Sequence, residues 1–161
     1  MFTVGEIIDL AIRIEKNGEN AYRKAQKEVS EPSLASMLQW LADDEVEHEK
    51  WFTELKDGIK TAVEDPQLEE MGKAILGGVL GEQAFSIQDA DFSKIETVES
   101  LLRLSLEFEK DTVLFYEMLI DFIDDEHTAG QLQKIIEEEN RHIQVLKDFV
   151  ERREALPFRE E

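Results

Sequence analysis

Glu45-Val46-Glu47-His48 and Glu139-Asn140-Arg141-His142 are two four-residue words of one form, Glu-x-x-His. Residues three apart on a helix share a face about one turn along, so each word aims a carboxylate and an imidazole at one point. That is a metal-ligand geometry. An upstream glutamate stands 30 residues before each word, Glu15 before the first and Glu109 before the second.

Sliding the chain by 94 positions lays Leu10 on Leu104, Glu15 on Glu109, Lys16 on Lys110, Tyr22 on Tyr116, Glu45 on Glu139 and His48 on His142 without a gap. Two copies are too few for a solenoid, which needs several repeats to bury its faces. They describe two related helical hairpins. The fold class this predicts is all-α, an antiparallel four-helix bundle whose hairpins are joined by a long crossover.

The periodicity of the rest agrees. Thr3-Val4-Gly5-Glu6 fits a capping box at the start of a first helix. Its stripe runs through Val4, Ile8, Ala11, Glu15, Gly18, Tyr22, Ala25 and Val29 in alternating steps of four and three. Pro32 opens a second helix, because proline at the first turn loses no hydrogen bond. That helix carries Leu34, Leu38, Leu41, Glu45, His48, Phe52 and Leu55 on its seam. A third, from about residue 97, carries Val98, Leu102, Ser105, Glu109, Thr112, Tyr116, Leu119 and Ile123. It is expected to end over Asp124-Asp125-Glu126-His127. Thr128-Ala129-Gly130-Gln131 reads as the capping box of a fourth helix, whose seam holds Leu132, Ile135, Glu139, His142, Leu146 and Phe149. The whole of residues 1–161 is read as one domain, with hairpins over about 3–58 and 97–156 and a crossover over about 59–96. Pro66 could open a short crossover helix, and the apolar, glycine-rich run 75–80 is far too short to span a bilayer.

Composition removes several classes of function. There is no cysteine, which excludes disulfides, thiolate metal sites and cysteine nucleophiles. With 38 acidic against 18 basic residues the formal charge is −20, the wrong sign for a nucleic-acid partner. No basic stretch followed by an apolar block opens the chain, and no segment suits a membrane helix. The expectation is a cytoplasmic protein.

All six ligand-type residues fall on seams that are otherwise apolar. A carboxylate in such a seam costs several kcal/mol unless it is paired or bound to a cation. Four ionised carboxylates would balance two divalent ions. The expected division puts Glu15, Glu45 and His48 on one ion and Glu109, Glu139 and His142 on the other, with Glu45 and Glu139 bridging. Oxygen-rich ligands with one imidazole per ion suit iron or manganese, and zinc can intrude. Tyr22 and Tyr116 lie two turns from Glu15 and Glu109 on the same seams. Each buried hydroxyl needs a partner, and two readings stand side by side: a donor to a ligand carboxylate on a neighbouring helix, or plain packing. Glu19, Asp44 and Glu138 lie beside the seams and suit solvation or outer hydrogen bonds. Trp40 and Trp51 lie off the seams and read as packing or interface residues.

These residues together resemble a known group. Glu15-Lys16-Asn17-Gly18 with Tyr22, Glu45-Val46-Glu47-His48, Glu109-Lys110-Asp111-Thr112 with Tyr116, and Glu139-Asn140-Arg141-His142 are similar to the motifs of the ferritin-like superfamily, most closely rubrerythrin-type diiron domains. The resemblance implies two iron ions held by the six residues and a redox activity toward hydrogen peroxide or dioxygen exerted through them. Relatives oxidise and store ferrous iron, so iron handling is the alternative, and a metal-stabilised scaffold without catalysis is a third. Two departures bear on the reaction. The Cys-x-x-Cys iron site usual in rubrerythrins is missing, which implies a separate electron donor such as a rubredoxin-like protein. Thr112 stands where rubrerythrins carry an extra glutamate, so the ligand set looks more like the symmetric centre of bacterioferritin-like proteins. The resemblance, with aromatic residues such as Trp40 and Phe92, also implies a homodimer.

Overall fold

The computed structural model describes residues 4–58 and 98–155. Four helices occupy them: α1 (Val4–Glu28), α2 (Pro32–Gly58), α3 (Val98–Ile120) and α4 (Glu126–Ala155). α1 packs along α2 and α3 along α4. The links within each pair span only residues 29–31 and 121–125, so each pair is an antiparallel hairpin. The two hairpins form the four-helix bundle that the repeat predicts. The crossover with its Pro66 helix, the Thr3 cap and the start of the third helix at Thr97 lie outside the described residues.

The helix ends follow from local chemistry. Pro32 occupies the first turn of α2, where the backbone of Ala35 donates to the Glu31 carbonyl at 2.9 Å. α3 stops at Ile120, earlier than the acidic run suggests, and Phe122 and Ile123 donate to the carbonyls of Leu119 and Ile120. These three-residue bonds tighten the last turn. The cap of α4 also differs from expectation. Asp125, not Thr128, is the N-cap: its Oδ2 accepts from the Thr128 backbone at 2.9 Å and from the Thr128 hydroxyl at 2.6 Å. An aspartate three residues ahead competes successfully for the orphan donors of the first turn.

The core is built from the predicted seams. Ile8, Ala11, Tyr22, Leu34, Leu38, Leu41, Phe52, Leu102, Tyr116, Leu119, Leu132 and Leu146 are buried, and Phe149 is only half-buried. Each large aliphatic or aromatic side chain so buried contributes about 1.5–3 kcal/mol. α1 buries more than one seam. Ile7, Leu10, Ile14, Asn17 and Ala21 form a second inward row beside the first. A single three-four stripe underestimates a bundle helix, which meets two neighbours and needs a wider apolar face.

Candidate metal centre

At mid-bundle the apolar seams give way to charge. Glu15 on α1, Glu45 and His48 on α2, Glu109 on α3, and Glu139 and His142 on α4 are all buried, five of the six as completely as the core leucines. The repeat therefore translates into space. Each helix pair brings one lone glutamate and one Glu-x-x-His word to a common centre.

Ligand-type atoms gather there in two sets. Glu15, Glu45, His48 and Glu139 form one; Glu45, Glu109, Glu139 and His142 form the other, with the atoms of each set within 4.8 Å of one another. Glu45 and Glu139 belong to both. His48 Nδ1 lies 2.8 Å from Glu139 Oε1 and 3.6 Å from Glu15 Oε2. His142 Nδ1 lies 3.1 Å from Glu139 Oε2, 3.3 Å from Glu45 Oε1 and 3.6 Å from Glu109 Oε1. The two imidazoles stand 6.1 Å apart and nearly parallel.

The other face of each ring is held from the opposite hairpin. His48 Nε2 lies 2.6 Å from Glu138 Oε2, and His142 Nε2 lies 2.9 Å from Asp44 Oδ2. An ionised carboxylate only accepts, so Nε2 carries the proton and Nδ1 faces inward. Asp44 and Glu138 thus make the outer hydrogen bonds that their off-seam positions suggest, whereas Glu19 pairs with Arg23.

The tyrosines cross between hairpins. Tyr22 donates to Glu109 Oε1 at 2.6 Å, and Tyr116 donates to Glu15 Oε1 at 2.5 Å. Of the two readings of these residues, the structure shows the hydrogen bond to a carboxylate on a neighbouring helix. Burial first, then the facing glutamates, raises both phenols well above their ordinary range. They remain neutral donors.

The cluster does not satisfy itself. Glu15 Oε2, both oxygens of Glu45 and Glu109 Oε2 are buried with no hydrogen-bond partner among the described residues. Burial and the charges of Glu139, Glu15 and Glu109 push the Glu45 carboxyl well up. Burial, then Glu139, raises Glu109 to about 8. The imidazoles respond in the other sense: burial opposes their charge, but Glu15 beside His48 and Glu139 beside His142 outweigh it and raise both. Protons are thus held where cations would otherwise balance the carboxylates. Orphaned oxygens, inward Nδ1 atoms and shared glutamates are the donor set two divalent ions require.

Glycine and threonine shape the rim. A Cβ on Gly18 would lie 3.1 Å from Glu45 Oε2 and 3.3 Å from the Phe108 ring, so any side chain there would displace the Glu45 carboxylate or the ring. The repeat places Thr112 opposite, and its hydroxyl donates to the Phe108 carbonyl at 2.9 Å. The tryptophans, read from the sequence as packing or interface residues, do pack against the core, and their particular contacts were not foreseen. The Trp40 ring meets His142 edge-on at 5.0 Å, and Trp51 donates to Gln131 at 3.0 Å while packing on Phe52. Their off-seam spacing carried no signal of this, because indoles reach across a seam.

The rubrerythrin family model matches residues 6–150. Among solved structures, a chain from Thermotoga maritima described as a ferritin-like diiron-carboxylate protein aligns with a TM-score of 0.71. The two are 21% identical, and the alignment covers 93% of this chain and 95% of that one. At that identity the likeness is one of fold. No curated protein matches the sequence.

Proposed function

The chain belongs to the rubrerythrin family, and on that footing we propose that it holds two iron ions at Glu15, Glu45, His48, Glu109, Glu139 and His142 and turns them on hydrogen peroxide or dioxygen. One observation carries the reading: two four-residue ligand sets share Glu45 and Glu139 in a buried cluster in which four carboxylate oxygens lack a hydrogen-bond partner among the described residues. Glu15 and His48 would hold one ion, Glu109 and His142 the other, with Glu45 and Glu139 between them. When bound, the ions would supply the electrons that reduce the oxidant.

The protein's own groups do the rest. Asp44 and Glu138 hold the imidazoles with Nδ1 inward, and Tyr22 and Tyr116 fix Glu109 and Glu15 by one oxygen each, leaving the other oxygen free. The apolar seams above and below exclude bulk water, which strengthens every charge interaction inside. With no cysteine in the chain, electrons would come from a separate donor, a role that suits a rubredoxin-like protein.

A second reading has its own support. Thr112 offers no carboxylate and spends its hydroxyl on a backbone carbonyl, so the donor set is the symmetric one. That symmetry favours oxidation of ferrous iron as substrate. Stopped-flow mixing of the reduced, iron-loaded chain with peroxide and with oxygen separates the readings. Faster oxidation by peroxide than of free ferrous iron supports the first; oxidation followed by release or exchange of the ferric product supports the second. No reaction with either oxidant would refute both.

A further inference from the structure

We propose that Trp51, Phe52 and Tyr116 form a one-electron exit route from the centre to the protein surface. The observation is a line of ring contacts that runs from α2 of one hairpin to α3 of the other and that the repeat does not duplicate. The Trp51 ring, half-buried on α2, lies 4.9 Å from Phe52, and Phe52 lies 5.0 Å from Tyr116 on α3. Tyr116 then donates to Glu15 Oε1 at 2.5 Å. Phe52 and Tyr116 are fully buried.

The repeat makes this line conspicuous. Tyr116 corresponds to Tyr22, but Trp51 and Phe52 correspond to Val145 and Leu146. The tyrosine-to-glutamate bond is duplicated and the aromatic line is not. Packing alone asks for apolar volume, which Leu146 supplies while fully buried. Aromatic rings add something an aliphatic core lacks. Indole and phenol surrender one electron readily once thiols are absent, and this chain has no cysteine. Phenylalanine holds its electrons too tightly to be oxidised here, so Phe52 bridges the two. The indole of Trp51 is oriented by its hydrogen bond to Gln131 at 3.0 Å.

The route rests on the reading of the centre as one that meets peroxide or dioxygen, since such oxidants leave equivalents strong enough to oxidise a phenol when the normal donor is lacking. Tyr116 gives one electron to the oxidised centre and its hydroxyl proton to Glu15 Oε1. Trp51 then returns an electron to the Tyr116 phenoxyl in an unfavourable equilibrium, the phenoxyl recovering its proton from Glu15, and capture of the Trp51 radical by a reductant pulls that equilibrium forward. The Trp51 radical cation loses its Nε1 proton to solvent. A one-electron reductant in solution, such as a thiol or ascorbate, restores the indole together with a proton from water. The net transfer is one electron from that reductant to the oxidised centre, and the buried ligands are spared.

The test reads the same line in the opposite direction and needs no turnover. The full chain, loaded with redox-silent zinc, is exposed to azide radical from pulse radiolysis, which oxidises indoles first. The expected result is a tryptophan-radical signal that decays in a first-order phase independent of protein concentration, while a tyrosine phenoxyl signal grows at the same rate. Trp51→Phe and Tyr116→Phe abolish the phase; Trp40→Phe and Tyr22→Phe preserve it. Phe52→Leu, which writes the second hairpin's residue into the first, slows it several-fold. Tyr22→Phe removes the same kind of buried bond as Tyr116→Phe, so a general folding defect would strike both. Persistence of the phase in Trp51→Phe, its loss in Tyr22→Phe alone, or purely concentration-dependent decay would overturn the route. Zinc stoichiometry, measured first, reports on the metal reading alone, and the transfer phase is read in the same sample whether or not the ion binds.

Discussion

The Tyr116 hydroxyl on α3 donates to Glu15 Oε1 on α1 at 2.5 Å, and the same bond recurs with the hairpins exchanged, from Tyr22 to Glu109 at 2.6 Å. Each hairpin therefore places a carboxylate that the other hairpin holds. The imidazoles obey the same rule through Asp44 and Glu138. The cluster is a joint between hairpins, and its residues hold one half on the other.

Removing a crossed tyrosine bond should loosen that joint. Tyr116→Phe leaves Glu15 with a further unpartnered oxygen, and a hydrogen bond to a charged group contributes about 1.5–3 kcal/mol. A loss of that size in denaturant unfolding of the metal-free chain is expected, with a similar loss for Tyr22→Phe.

The outer carboxylates should govern metal affinity more than folding. Asp44→Ala and Glu138→Ala free the Nε2 face of His142 and His48, and such partners are typically worth about 10–100-fold in affinity. Competition with a chelator of known strength measures this, with thermal unfolding as the control.

Shared and unshared glutamates should behave differently. Glu45 and Glu139 belong to both ligand sets, whereas Glu15 and Glu109 belong to one each. Glu45→Gln or Glu139→Gln is expected to weaken both ions together, while Glu15→Gln weakens one and leaves a tighter ion behind. Two-step metal titrations by calorimetry distinguish the patterns.

The metal-free chain should lose stability as pH rises. His48 and His142 are raised above 6.5 in the fold, and Glu109 is raised from 4.5 to about 8. Each of these groups binds more protons folded than unfolded, so its contribution is complete below its unfolded value and is lost on passing through the folded one. Glu15 and Glu139 have the opposite sign: burial raises both, and Glu15 raises Glu139 further, but His48 beside Glu15, and the Glu109 hydrogen bond together with His142 beside Glu139, bring them net below 4.5, so the stability they contribute is lost only in acid. Melting temperature without metal should therefore begin to fall above 4.5 through Glu109 and fall more steeply from 6.5 to about 8, where the imidazoles add to it. Metal affinity should rise over the same interval as protons cease to compete.

Gly18→Ala separates fold from site. Alanine gains up to about 1 kcal/mol of helix propensity, and the nearest atom to its Cβ is the unhydrogen-bonded Glu45 Oε2 at 3.1 Å. The carboxylate can give way, so unfolding stability should hold or rise slightly while metal affinity falls. A fall in stability without change in affinity would show that the Phe108 ring, 3.3 Å away, takes the strain instead.

Most of the centre was legible because its residues break a pattern. Glu15, Glu45, Glu109 and Glu139 interrupt seams of leucine and isoleucine at one shared register, and the 94-residue repeat aligns them. The structure brings those positions together with His48 and His142. The four-helix fold followed from the same seams. Other features left weaker marks. The Asp125 cap was masked by a rival pattern at Thr128, since both carry suitable side chains and only backbone geometry chooses. The second buried row of α1 mixes Asn17 and Ala21 with isoleucines, so its amphipathic signal is diluted. The aromatic line through Trp51, Phe52 and Tyr116 joins two helices distant in sequence, and no periodicity within one helix encodes it.

Anomalous diffraction at the iron edge, from crystals of the chain loaded anaerobically with ferrous iron, tests the central claim most directly. Two peaks per chain are expected, one beside Glu15 and His48 and one beside Glu109 and His142, both within bonding distance of Glu45 and Glu139. A single peak, peaks outside the cluster, or none at all would contradict a dinuclear centre shared between the two hairpins.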